Sequence, residues 1–96
     1  MRWTWDPAKV AQNRVKHGLS FETAVLVFED PLQVSRLDWH PDGDRWQTVG
    51  VVSDVLLLVV HTAPEADGLG DVPVGRIISA RKATRAERRA YEETGI

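Results

Sequence analysis

An α+β fold is what this 96-residue sequence predicts. Three observations carry that reading: two capped helical patterns before residue 31, a β-rich middle, and a short strand at Ile77-Ile78 followed by a helix with a capping box. The element order read from the residues is β-α-α-β-β-β-β-α. One domain of this length holds one modest core.

Arg2-Trp3-Thr4-Trp5 alternates, so as a strand it sets both tryptophans on one side. Asp6-Pro7 is an N-cap followed by proline at the first helical position, and Gly18 is a left-handed stop, so a helix spans Pro7 to His17. Ala8, Ala11 and Val15 are expected to make its apolar stripe. Lys9, Asn13 and Lys16 (i, i+4, i+7) then present two cations and an amide on the exposed side. Ser20 caps a second helix whose Phe21, Ala24, Val25 and Phe28 form a buried face, ended by Asp30-Pro31.

Leu32–Trp39, Arg45–Val52 and Val55–Thr62 read as strands, with Ser53-Asp54 between the last two. His40-Pro41-Asp42-Gly43-Asp44 is turn chemistry, and ligands so close in sequence rarely converge on one metal. Val55 to Val60 is continuously apolar, the mark of a central strand covered on both faces. Three helices scarcely cover both faces of such a sheet, which leaves one face open to a partner. Ala63 to Val72 is a long flexible loop carrying three acidic residues. Ser79, Ala80 and Arg81 are expected to end the strand of Ile77-Ile78. Thr84 and Glu87 form the T-x-x-E box of the last helix, whose Ala86 and Ala90 make a small-residue stripe suited to lying against a sheet.

Composition is that of a soluble globular protein, 43% hydrophobic and 27% charged. The absence of cysteine excludes disulfides, zinc–thiolate sites and a thiol nucleophile. No apolar run approaches a membrane span and the N-terminus lacks a signal peptide's apolar core, so a cytoplasmic protein is expected. The net charge of -2 conceals an asymmetry. Nine acidic residues between Glu29 and Asp71 face two arginines, whereas six basic residues between Arg76 and Arg89 face Glu87 alone. Arg76, Arg81, Lys82 and Arg85 at a strand-to-helix junction suit a phosphate ligand, although charge alone favours a solvated helix face. His17 in the last turn of the first helix and His61 at a strand end each admit a structural and an acid–base reading.

With those residues in view the chain resembles the BrnT family of bacterial toxins, the ribonuclease halves of BrnT–BrnA toxin–antitoxin pairs. The resemblance lies in W-D-P-A-K (Trp5 to Lys9), N-R-V-K-H-G-L-S-F (Asn13 to Phe21), R-W-Q-T-V-G (Arg45 to Gly50), L-V-V-H-T (Leu58 to Thr62) and R-I-I-S-A-R-K-A-T-R-A-E-R-R-A-Y (Arg76 to Tyr91). The loop from Pro64 to Val72 departs from it, being longer and more acidic than the family's turn.

The resemblance implies a RelE-like fold with a central antiparallel sheet, an N-terminal αα-hairpin and a C-terminal helix. It also implies a metal-independent endoribonuclease that cleaves RNA and inhibits translation, needs no cofactor, is neutralised by a ribbon-helix-helix BrnA-like antitoxin, and meets DNA only through the toxin–antitoxin complex. On the matching positions Lys9 and Lys16 would activate the 2′-OH or bind phosphate. His17 or His61 would do acid–base work, Arg76 and Arg81 would stabilise the transition state, and Lys82, Arg85 and Tyr91 would bind RNA. Arg76 and Arg81 have opposite parity in a regular strand, so Arg81 is expected past the strand's end if the two are to meet. Two rivals remain at this level: a non-catalytic module whose basic patch receives an acidic protein such as the antitoxin, and a toxin of the same superfold acting on a protein target such as a topoisomerase.

Overall fold

The structure, a computed structural model, describes residues 1–41, 43–66 and 68–94; Asp42 of the expected turn and Asp67 of the acidic loop lie outside the described residues. The described chain runs β1 (Arg2–Trp5), α1 (Pro7–His17), α2 (Phe21–Val25), a 3-10 turn (Leu26–Glu29), β2 (Val34–Asp38), β3 (Arg45–Val52), β4 (Val55–His61), β5 (Val74–Lys82) and α3 (Arg85–Thr94). The fold is α+β.

Local chemistry accounts for the element boundaries. Asp6 accepts a hydrogen bond from the Ala8 amide, and Gly18 closes α1 at φ 70°, the left-handed region open to glycine. Ser20 caps α2 through the Thr23 amide at 3.2 Å. In α3 the Thr84 amide donates to Glu87 Oε1 at 2.8 Å and the Glu87 amide to Thr84 Oγ1 at 3.2 Å, the reciprocal box read from the sequence. The second helical pattern tightens after Val25 into a 3-10 turn, which brings Val27 fully into the core while Phe28 packs against the core's margin. Ser53 and Asp54 both take positive φ in the two-residue link between β3 and β4, the twist a tight hairpin needs.

The five strands are ordered β1-β5-β4-β3-β2. The sheet is mixed: β2 to β5 pair antiparallel, but β1 lies parallel to β5. The central strands are antiparallel as expected, and the added parallel edge strand makes the sheet mixed, because the excursion through α1, α2 and the β2–β4 meander returns the chain to β1 along β5 in the same direction. β4 is central, as its apolar run requires, with Leu56 to Val59 all buried. On one face Phe21, Ala24, Val27, Leu57, Val59, Ile77 and Ala80 form the core. Trp3 stacks on Phe28 with ring centroids 4.2 Å apart, and Trp3 packs so closely on β5 that a Cβ at Gly75 would lie 2.5 Å from its ring.

The packing of α1 differs from its expected stripe. Ala8 and Ala11 are exposed and Val15 is 90% exposed, whereas Val10, Asn13 and His17 turn inward. Strand β1 pairs with β5 only as far as Ile77, so the next backbone groups of that edge lack a strand partner. Asn13, 5% exposed, supplies one: its Oδ1 accepts the Ala80 amide at 3.0 Å while its Nδ2 donates to the Leu19 carbonyl at 3.1 Å. An amide at this edge outweighs the apolar stripe in setting the helix's rotation, because an unpaired buried N–H costs about 1–3 kcal/mol.

The other sheet face is crossed by α3 alone. A hollow of about 250 Å³, walled by Val34, Val49 and Leu58 from the sheet and Ala86 and Ala90 from α3, remains between them. The alanine stripe therefore faces the sheet without closing on it. Among the described residues no helix is long and apolar enough to cross a membrane.

Candidate functional site

Strand β5 does not end at Ser79–Arg81 but runs on through Lys82. Between Val60 and His61 the register against it slips: Val60 faces Ser79 while His61 faces Ile77, leaving Ile78 as an extra residue. One inserted residue reverses strand parity. Arg81 pairs with Leu58, and Arg76 meets Thr62, whose amide donates to the Arg76 carbonyl. Leu58 and Thr62 are four apart, so both arginines leave the same sheet face, roughly 13 Å apart along it. Arg81 is thus within the strand, and the bulge does what a position past its end was expected to do.

Around this bulge the cations assemble. Lys9, Gln12, Lys16 and His17 from α1 meet Ser79 and Arg81 from β5 across a cleft of about 370 Å³. Lys9 also lines an adjoining recess of about 150 Å³ with Arg45 and Arg76, and Ile78 borders both. Lys9, Lys16 and Arg76 are exposed, and His17 and Arg45 are half-buried. Arg45 was not singled out from the sequence as a site residue. Its motif was legible, but its proximity to Arg76 depends on β3 and β5 flanking one strand.

Arg81 is fixed from behind. Its Nη1 donates to Glu87 Oε1 at 2.7 Å and to the Lys82 carbonyl at 3.2 Å, and its Nη2 donates to Glu87 Oε2 at 2.8 Å. These bonds consume the end-on edge of the guanidinium and leave its Nε–Nη2 edge for a second oxyanion. The hydrogen bond from Arg81 is the main reason that the Glu87 carboxyl is held down at about 2, with burial opposing and the Thr84 amide assisting. Arg81 is correspondingly raised by its bond to Glu87.

The remaining expected site residues lie elsewhere. His61 is 5% exposed and sits in the core with its ring edge-on to Trp3 and Phe28, at centroid distances of 5.2 and 4.9 Å. Its Nδ1 is 2.8 Å from the Thr62 carbonyl, so that nitrogen carries the hydrogen, and Nε2 accepts from Thr48 Oγ1 at 2.6 Å, itself 2.6 Å from Ser35 Oγ. Burial holds His61 below its ordinary value, against the bond to Thr62. Lys82 pairs with Leu57 and so leaves the sheet on the face opposite Arg81, while Arg85 is exposed at the start of α3. The Tyr91 hydroxyl donates to Asp30 Oδ2 at 2.7 Å, an oxygen that also accepts the Val51 amide at 2.9 Å. Burial would raise Asp30, but the bonds from Tyr91, Val51 and Leu32 outweigh it and hold the carboxyl below its usual value.

The structure therefore brings Lys9, Lys16, His17 and Arg81 to one cleft and Arg76, with Arg45 and the carboxylate Asp6, to a recess that shares Lys9 with it, and sets His61, Lys82, Arg85 and Tyr91 apart. Five cations and a half-exposed imidazole along a strand edge can bind successive phosphates and move a proton beside one of them. A family model described as ribonuclease toxin, BrnT, of type II toxin-antitoxin system matches residues 5–87. No curated protein matches the chain.

Proposed function

Because the chain belongs to the BrnT family of ribonuclease toxins of type II toxin–antitoxin systems, we propose that it is an endoribonuclease whose working surface is the cleft between α1 and the bulged part of β5. The convergence of Lys9, Lys16, His17 and Arg81 on one cleft is the observation that carries this reading. The element order and the helix-flanked sheet support a RelE-like arrangement, and the family supports inhibition of translation and neutralisation by a ribbon-helix-helix antitoxin.

In the proposed reaction the ribose 2′-oxygen attacks the adjacent phosphorus, its proton passes to a base, and the 5′-oxygen leaves with a proton. The products are a 2′,3′-cyclic phosphate and a 5′-hydroxyl. Negative charge grows on the phosphorane oxygens, where the open edge of Arg81 and the ammonium of Lys16 would oppose it. His17 is assigned the proton transfers, being the histidine that lines the cleft. Lys9 and Arg76 hold the flanking phosphates, with Arg45 added to them. Metal-independent chemistry is consistent with this donor set, since fixed cations supply the field that a metal would otherwise provide. His61 is assigned to positioning β3 and β4, Tyr91 to anchoring α3, and Lys82 and Arg85 to outer RNA contacts.

The test is labelled RNA incubated with the purified protein in excess EDTA, with fragment ends identified. Wild type is expected to leave 2′,3′-cyclic phosphate, and Arg81→Ala and Lys16→Ala to cut at least 100-fold more slowly, in the range for losing one transition-state donor. Glu87→Gln, which loosens Arg81 without removing it, should fall between wild type and Arg81→Ala. Intact RNA with wild type, or undiminished cutting by Arg81→Ala, overturns the proposal.

A further inference from the structure

The edge of the sheet opposite the cation cleft is β2, the outer strand beside β3. In an antiparallel strand the amide and carbonyl of one residue point to the same side, and the side alternates along the chain. The Ala83 amide donates to the Leu56 carbonyl, so Leu56 turns toward β5. Its register partner Val51 turns away from β4 and donates to Asp30 Oδ2 at 2.9 Å. Val49, Gln47 and Arg45 share the parity of Val51 and face β2, where they meet Val34, Arg36 and Asp38. Ser35 and Leu37 therefore hold their backbone groups outward, and among the described residues no further strand lies beside them.

An open edge is a template for another strand, and proteins commonly blunt it with lysine, proline or a bulge. β2 carries none of these: its register with β3 is unbroken from Val34 opposite Val49 to Asp38 opposite Arg45. It carries apolar surface instead. Leu37 is 51% exposed, and Trp39, one residue past the strand's end, is 73% exposed. Alternation puts both on one face of the sheet. Arg36 and Asp38 lie on the other, tied into a row by Gln47, whose Oε1 accepts from Arg36 Nε and whose Nε2 donates to Asp38 Oδ2, both at 3.0 Å. A cation and an anion two positions apart on an open edge repel some strands and attract others.

We propose that β2 pairs antiparallel with β2 of a second copy of this chain, about a two-fold axis at Leu37, so that the two sheets join into one. Outward-pointing residues must stand opposite one another, which sets Leu37 against Leu37 and Ser35 against Trp39. In that register each Arg36 meets the Asp38 of the other copy, twice by symmetry, and opposite charges across a strand pair attract. A slip that keeps the backbone groups facing moves two residues at a time. Slipping one way sets Arg36 against Arg36, and slipping the other way sets Asp38 against Asp38, so like charges penalise both neighbours of the proposed register. Leu37 against Leu37, with Trp39 beside Ser35, also takes apolar surface out of water. The cation clefts lie at the far side of each sheet and both stay open, with the two β5 strands roughly 34 Å apart at about 4.8 Å per strand spacing.

The test is sedimentation equilibrium of the purified chain across a concentration series, with a melting curve for each variant to show that it is folded. Wild type should pass from the mass of one chain to the mass of two as concentration rises, the weak association of a small interface. Arg36→Asp and Asp38→Arg should each weaken the dimer by about tenfold, or ~1.4 kcal/mol. The chain carrying both exchanges should regain wild-type association, because its charges are again complementary in the same register. The mass of a single chain at every concentration, single variants that associate like wild type, or a double exchange that does not recover overturns the pairing. Hydrogen exchange reads the same edge in wild type without any substitution. The Ser35 and Leu37 amides should exchange several-fold more slowly as the dimer forms; rates independent of concentration overturn the proposal. Protection of those amides only when a different protein is added also overturns it, and gives the edge to a strand of that partner.

Discussion

His61 illustrates what a residue's neighbours in sequence do not reveal. At the end of an apolar strand, before a threonine, its sequence context favours a core side chain and still admits a catalytic base. The choice is made by Trp3, Phe28 and Thr48, which lie 13 or more positions away and are gathered by the sheet. The folded protein holds His61 below its ordinary 6.5, chiefly through burial. Below about pH 6.5 the unfolded chain therefore binds more protons at this residue than the native one. Its contribution to stability is full above 6.5 and is lost as pH falls through 6.5 toward the native value, at up to ~1.4 kcal/mol per pH unit. Melting temperatures between pH 7.5 and 5.5 should fall more steeply for wild type than for His61→Asn, which has no such proton to take up; parallel curves would remove His61 from the balance. Asn13 teaches the same lesson in reverse. Its helical spacing places it among cations on the exposed side, yet the uncovered β5 edge draws it inward.

At the scale of elements, α3 is held by polar clips rather than by a core. None of its residues is fully buried, and a hollow separates its alanine stripe from the sheet. One clip is Arg81–Glu87 near its start; the other is Tyr91–Asp30, with Asp30 also tied to the Val51 and Leu32 amides. Tyr91→Phe should cost about 1 kcal/mol, the usual net worth of a hydrogen bond, raised somewhat by the charge on its acceptor. Amide exchange should then quicken several-fold in the last turn of α3 and stay unchanged in β4. Uniform exchange across both elements would show that the clip is not local. The caps that bound α1, α2 and α3 were legible because each is decided within four residues. The bulge at Ile78 was not, since an extra residue in β5 exists only relative to β4, and with it went the shared face of Arg76 and Arg81. The parallel pairing of β1 was likewise hidden, because strand alternation carries no sign of direction.

Across the whole molecule, a net charge of -2 and a basic cleft coexist because the charges are sorted in space. The cations come from α1, β3 and β5, while Asp44 and Glu65 stand together at one end. The cluster at Arg76 to Arg89 was visible in the sequence, but its contribution to the cleft is only partial: Arg76 and Arg81 join it, and Lys9 and Lys16 complete it from the other end of the chain. This sorting fixes how binding responds to salt. Five cations line the cleft and its adjoining recess, and one of them, Arg81, is already paired with Glu87. If roughly three or four phosphates are engaged, a single-stranded RNA at about 0.7 counterion per phosphate gives a slope of log affinity against log salt near -2 to -3. A fully basic RNA binder would show a steeper dependence. Affinity for a blocked oligonucleotide between 50 and 200 mM salt (about a fourfold span) should thus fall roughly 16- to 60-fold. Lys9→Ala should reduce the slope by about 0.7, the share of one phosphate. A slope unchanged by that substitution would mean that RNA lies on another surface, such as the outer face of α3 with its Arg85, Arg88 and Arg89.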